Sequence, residues 1–352
     1  ATLQALWSDV LGIEKIGIHD DFFELGGQSL SAIRLVSTCS RALGSNLTMR
    51  TLFANRTIAA LAATFRTGGG RPVDSSLMPL HTGGLRPRLF CIHPAGGYAF
   101  CFTPLTRALG ADQPVYGLQA RGLEAGETPA ASIGEMAADY VRAIRSLQGD
   151  APVQLLGMSS GGLIAHEMAR LLQADGVPVA FLGLLDTTLA TETAPAAPSA
   201  EDIVRGLAQD FGLAELLAEL PPPHSVAGLL DLVHSRGLLP EDIDHAQVER
   251  VAAVYGNTLR LRARHRPGPW SGSMLLVRAT RRAERADMSI DWSPHVRGDL
   301  RLLDLDCDHD DLMSEALAPA LARHLEPYLA AAAPPPVTAT NPLVQEEILD
   351  AS

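Results

Sequence analysis

Two short stretches set a serine beside glycines at the head of an apolar helical pattern: Leu25-Gly26-Gly27-Gln28-Ser29-Leu30 and Gly157-Met158-Ser159-Ser160-Gly161-Gly162. The second has the spacing of a nucleophile elbow. Glycines two positions before and two positions after Ser159 allow a sharp strand-to-helix turn that lifts the hydroxyl above a sheet. Centring the same pattern on Ser160 would require glycine where Met158 stands. A serine hydroxyl becomes a nucleophile only with a base beside it and an acid to orient that base. In this kind of fold the acid and then the histidine follow the serine along the chain. Asp186 ends the apolar run 179–185, and His309 lies just past the apolar run 300–305, in D-C-D-H-D-D-L. His93 and His166 are rival bases, while Asp287 and Asp291 are rival acids. The backbone donors for a developing oxyanion are expected from Ser160, directly after the nucleophile, and from the small-residue loop His93-Pro94-Ala95-Gly96-Gly97. Ala95 is the choice there, because Pro94 has no N–H to give.

Those residues need elements to hold them. Short apolar runs at 88–93, 115–118, 153–157, 179–185, 273–278 and 300–305 alternate with helical patterns such as 133–147 and 163–172. Strands that read as nearly continuous apolar runs suggest a mostly parallel sheet covered on both faces. Between 191 and 264 only helical material is found, broken by Pro221-Pro222-Pro223. An insertion of that length between strands reads as a lid.

Upstream, Leu3, Leu6, Trp7, Val10 and Leu11 share one helical face. Further helical patterns begin at Ser29, near Met49 and at Ile58, so residues 1–66 read as a small helical bundle with one long loop. The glycine-rich run that follows, through residue 79, reads as a flexible linker. Residues 331–352 open on an Ala/Pro run and read as a disordered tail.

Bulk properties set outer limits. The chain has 352 residues, enough for a small and a large domain. A net charge of −12 argues against nucleic acid as a partner, because phosphate binding needs a concentrated basic surface. No apolar run is long enough to span a membrane and no signal peptide is visible, so a cytoplasmic location is expected. The four cysteines are scattered without C-x-x-C pairing, which indicates neither a disulfide framework nor a metal site. The first residue is not methionine, and the sequence reads as a piece of something longer.

With these residues in view, the chain resembles the C-terminal end of a nonribosomal peptide synthetase, a peptidyl carrier domain followed by a type I thioesterase. D-D-F-F-E-L-G-G-Q-S-L resembles the carrier signature, G-M-S-S-G-G the thioesterase nucleophile motif, L-L-D-T the segment of its acid, and D-H-D-D-L-M that of its histidine. The resemblance implies an all-α four-helix carrier bundle over 1–66, a linker over 67–79, and an α/β-hydrolase fold over 80–330 with a helical lid at about 191–264. It implies 4'-phosphopantetheine, covalently held on Ser29, with Ser159, Asp186 and His309 as the triad. It also implies upstream condensation and adenylation domains, a phosphopantetheinyl transferase and a peptidyl substrate as partners. Gln28 stands where many carriers have Asp or His. Two other readings are a carrier fused to a non-catalytic docking module and a free-standing serine esterase.

Overall fold

The structure is a computed structural model, which describes residues 2–27, 29–45, 47–66, 76–192, 197–219, 224–238, 245–281 and 288–331. The expected linker up to residue 75, Pro221 to Pro223, the rival acid Asp287 and the tail beyond residue 331 lie outside the described residues.

Four helices make the first unit: α1 (Thr2–Leu11), α2 (Ser29–Leu43), α3 (Met49–Ala54) and α4 (Ile58–Arg66). Their core is aromatic. Trp7 meets Phe22 edge-on at 5.1 Å, and Phe23 stacks on Phe53 at 4.3 Å. The long loop is thereby tied to the helices, and Phe22 N–H donates to Arg56 O at 2.9 Å. Gly27 closes that loop against Phe22, where a Cβ would lie 2.3 Å from the ring. The chain can then turn directly into α2.

Seven strands form the main sheet of the second unit, in the order β1-β3-β2-β4-β5-β7-β9. They are β1 (Leu77–His81), β2 (Leu89–Ile92), β3 (Val115–Leu118), β4 (Val153–Met158), β5 (Val179–Leu185), β7 (Met274–Ala279) and β9 (Leu300–Leu305). β6 (Leu189–Ala190) and β8 (Met288–Ser289) pair separately. Only β1 runs antiparallel to its neighbour within the main sheet. β2 and β4 are buried along their whole length; β2 is wholly apolar, and the one polar side chain of β4, Gln154, donates its amide N–H to Leu329 O at 3.1 Å. On one face lie α6 (Ile133–Gln148) and α7 (Ser160–Ala174), packed around Tyr140, Ile144 and Leu163. On the other lie α5 (Thr103–Leu109) and α11 (Ala318–Ala331), packed around Phe102, Leu321 and Leu325. This is the α/β-hydrolase arrangement.

β1 corrects one expectation. Residues 77–79 are not linker but the start of an edge strand. The run L-M-P-L-H hides this, because Pro79 cannot donate to a ladder; an edge strand tolerates that loss, and the register shifts between Pro79 and His81.

The insertion folds as α8 (Ala200–Asp210), a 3-10 turn (Ala214–Glu219), α9 (Val226–Ser235) and α10 (His245–Arg264). Ser199 caps α8 through a reciprocal pair with Asp202. Val204, Ala208, Leu229, Leu230 and Val233 give these helices a small core of their own. The first unit leans on both the lid and the sheet domain. Ile33 of α2 packs against the lid core, Phe53 stacks on Phe100 at 6.0 Å, and Arg50 pairs with Glu127 at 3.3 Å.

Candidate active site

Ser159 sits between β4 and α7 with φ 55° and ψ −120°, a backbone conformation disfavoured for any residue with a Cβ. The turn is held by Ser159 N–H donating to Leu185 O at 2.8 Å and Gly162 N–H donating to Ser159 O at 3.1 Å. The flanking glycines are needed for close approach. A Cβ on Gly157 would lie 2.3 Å from Gly161 O, and one on Gly161 would lie 2.3 Å from Ile92 O. The helix therefore starts flush against β2 and β4, with the serine at its N-terminus.

Asp186 follows β5 and also has positive φ, 41°. Its side chain is wholly buried. One carboxylate oxygen accepts Ala279 N–H at 3.2 Å, and the other accepts His309 Nδ1–H at 2.7 Å. Trp292 fixes the next residue by donating its indole N–H to Thr187 O at 2.8 Å. His309 stands in the loop after β9. With Nδ1 committed to Asp186, its Nε2 is left for the cavity that it shares with Ser159.

That cavity, about 170 Å³, is also lined by Ala95 and Gly96 of the loop after β2, and by Gln209, Asp210, Phe211 and Tyr255 of the lid. The N–H groups of Ala95 and Ser160 meet no acceptor among the described residues, and Ser160 is the first residue of α7. The structure thus brings Ser159, Asp186, His309 and Ala95 together, with Ser160 adjoining.

The rivals go elsewhere. Asp291 is exposed and accepts from the Ser293 N–H and hydroxyl, which together hold its carboxyl below the usual range. His166 is buried against Trp292, and burial lowers its pKa to about 4. His93 is equally buried, its pKa also lowered to about 4, and it faces Tyr140 rather than the cavity.

Two acids of the site were not singled out in the sequence. Asp310 follows His309 and turns into the cavity, whereas Asp306, Asp308 and Asp311 gather around Arg281. Burial raises the Asp310 pKa, opposed by His309. Asp210 reaches the same cavity from the lid. Desolvation, then Asp310, pushes its pKa up to about 7. Nothing in the sequence marks a lid residue as a neighbour of Ser159 and His309.

In the first unit Ser29 is the first residue of the 15-residue α2. Helix N-termini favour phosphate through free N–H groups and the dipole, and no acidic residue stands in the first turn to oppose it. A phosphodiester-linked arm fits there.

Comparison with known proteins agrees with this layout. Residues 87–329 match the thioesterase domain family and residues 1–65 match the phosphopantetheine attachment site family. A dimodular nonribosomal peptide synthase of Bacillus subtilis (strain 168) is 34% identical over 87% of this chain, which spans 13% of that protein. The malpinin synthetase of Mortierella alpina is 36% identical over 88% of this chain, spanning 4% of that protein. A solved four-domain nonribosomal peptide synthetase bound to AMP and glycine superposes with a TM-score of 0.65 at 30% identity, covering 92% of this chain and 25% of the other. The match over most of its length shows that the chain belongs to the thioesterase domain family, with a phosphopantetheine attachment domain on its N-terminal side.

Proposed function

We propose that this chain is the releasing end of a cytoplasmic nonribosomal peptide synthetase, a carrier over residues 1–66 joined to a type I thioesterase of the serine-hydrolase kind. In this reading a phosphopantetheinyl transferase modifies Ser29, and upstream condensation and adenylation domains deliver the peptidyl chain. When bound, 4'-phosphopantetheine supplies a thiol on a long arm, to which the chain is joined as a thioester. The observation that carries the reading is the 2.7 Å bond from His309 Nδ1 to the buried Asp186, with Ser159 on a strained elbow in the same cavity.

Asp186 holds the imidazole in the tautomer whose Nε2 is an acceptor, and stabilises the imidazolium once it forms. His309 takes the hydroxyl proton as Ser159 Oγ attacks the acyl carbon. The N–H groups of Ala95 and Ser160 receive the negative charge that develops on the acyl oxygen. His309 then returns the proton to the departing sulfur, which leaves the acyl chain as an ester on Ser159. Water, or an amine or hydroxyl of the chain itself, next gives its proton to His309 and attacks that ester. As the ester bond breaks, His309 returns the proton to Ser159 Oγ; the product is a linear acid or a macrocycle, and the lid limits access by water.

Tyr98 and Phe211 support the route between the two serines. Both line the triad cavity and also the apolar pocket of the lid into which Ile33 reaches. The test begins by loading Ser29 with an acylated arm and following the acyl group by mass spectrometry. In the wild-type chain it should pass through a Ser159 peptide and be released, whereas in Ser159→Ala it should stay on the arm. Release at the wild-type rate by Ser159→Ala would overturn the proposal.

A further inference from the structure

His93 directly follows β2 and is fully buried. Its Nδ1 lies 2.6 Å from Pro94 O, and its Nε2 lies 2.7 Å from the hydroxyl of Tyr140 on α6. A carbonyl oxygen can only accept, so Nδ1 carries the ring proton toward Pro94. Nε2 is then the acceptor and the Tyr140 hydroxyl the donor. Burial keeps both groups in the forms this needs, for it holds the imidazole neutral and the phenol protonated. One carbonyl thus sets both the tautomer and the hydroxyl rotor.

The consequence lies on the far side of the same peptide bond. In a planar trans peptide the C=O and the following N–H point in opposite directions. Pro94 O is held twice, by His93 Nδ1 and by Gly97 N–H at 3.1 Å. Pinning it there turns the Ala95 N–H away from the His93 ring. Ala95 lines the cavity with Ser159 and His309, whereas neither His93 nor Tyr140 reaches it.

We propose that His93 and Tyr140 are a buried positioning pair that aims the Ala95 N–H at the oxyanion. The inference rests on the assignment of Ala95 as an oxyanion donor. Neither residue touches the reacting atoms, and His93 is not an alternative base.

Two near-sized substitutions separate positioning from packing. The amide N–H of His93→Asn falls close to the Nδ1 position and can still reach Pro94 O. That of His93→Gln falls near Nε2, which keeps a partner for Tyr140 but abandons the carbonyl. With a small diffusible acyl thioester as substrate, His93→Gln is expected to lose about 10- to 100-fold in kcat with KM nearly unchanged, somewhat less than outright removal of an oxyanion donor. His93→Asn should stay within about 3-fold of wild type, on the same scale. Affinity for an alkyl boronic acid, which forms a tetrahedral adduct on serine, should fall in step with kcat.

A packing role would favour Gln over Asn, and would move the melting temperature without moving boronate affinity. The proposal is overturned if folded His93→Gln matches wild type in kcat and boronate affinity, or if the order of Asn and Gln is reversed. Should His93→Gln not fold, Tyr140→Phe carries the test, with a smaller loss expected in both quantities and wild-type values in both overturning the idea. Ser159→Ala in the same assay keeps the two proposals apart. Residual turnover there would sink the triad assignment, while a dead Ser159→Ala beside an unimpaired His93→Gln would sink only the positioning pair.

Discussion

The elbow at Ser159 should store energy that can be released by substitution. Its φ of 55° and ψ of −120° belong to a region that glycine enters freely and that costs other residues about 1–3 kcal/mol. Ser159→Ala keeps the Cβ and therefore the strain. Ser159→Gly removes the strain, at a cost of about 0.5–1 kcal/mol in extra freedom of the unfolded chain. The hydroxyl makes no hydrogen bond among the described residues, so neither change leaves a partner unsatisfied. The difference predicts Ser159→Gly to be more stable than Ser159→Ala by about 1 kcal/mol, or about 2–4 °C in Tm for a domain of this size. The control is Ala138, exposed on α6, where the same Ala-to-Gly exchange should lose about 1 kcal/mol. All the variants would be melted at one scan rate and compared by midpoint. If Ser159→Gly melts at or below Ser159→Ala while Ala138→Gly behaves as expected, the elbow stores no usable strain.

Acid should weaken the sheet domain through its buried histidines. The pKa of His93 is lowered from 6.5 to about 4, so between those values the folded chain binds fewer protons than the unfolded one; its contribution is intact above pH 6.5 and lost as pH falls to 4. For this fully buried ring the loss is about 3 kcal/mol, and His166→Gln should remove a similar part of the slope in denaturant titrations across that window; identical slopes would contradict it. At Asp210 the raised pKa has the opposite consequence, since desolvation and Asp310 disfavour the ionised carboxylate in the folded chain and the penalty grows as pH rises from about 4 to 7. Asp210→Asn should therefore increase hydrogen-exchange protection of α8 at pH 8 and leave it unchanged near pH 4, and equal protection at pH 8 would rule this out. Arg50→Glu reverses one member of the half-buried pair with Glu127. It should slow transfer from the loaded carrier to Ser159 and leave turnover of a diffusible thioester alone, so an equal loss in both assays would refute a docking role.

How far each part of the site could be read from sequence depends on whether its determinant is local. The elbow is local: glycines at fixed offsets between an apolar run and a helix leave the chain few options, and Gly157 and Gly161 are both in close contact here. Asp186 and His309 were legible because an acid and a histidine just past strand ends emerge at the same sheet edge. β1 was hidden by Pro79, whose cost depends on whether a strand is central or at an edge, a property of the sheet and not of the segment. Among Asp306, Asp308, Asp310 and Asp311 the sequence offers no distinction. The 3-10 turn Asp310–Met313 makes one, sending Asp310 into the cavity and leaving the other three beside Arg281.

The oxyanion donors are the extreme case, because every residue except proline carries an N–H and the sequence shows only where small side chains leave room for one. What matters is the direction of that N–H, and at Ala95 it is set by a carbonyl one atom away, by an imidazole behind it and by a phenol from α6, 47 residues farther along than the imidazole. Judged by position, His93 was no more than a rejected base. Its chemistry became readable only when packing showed which of its nitrogens had an acceptor to face.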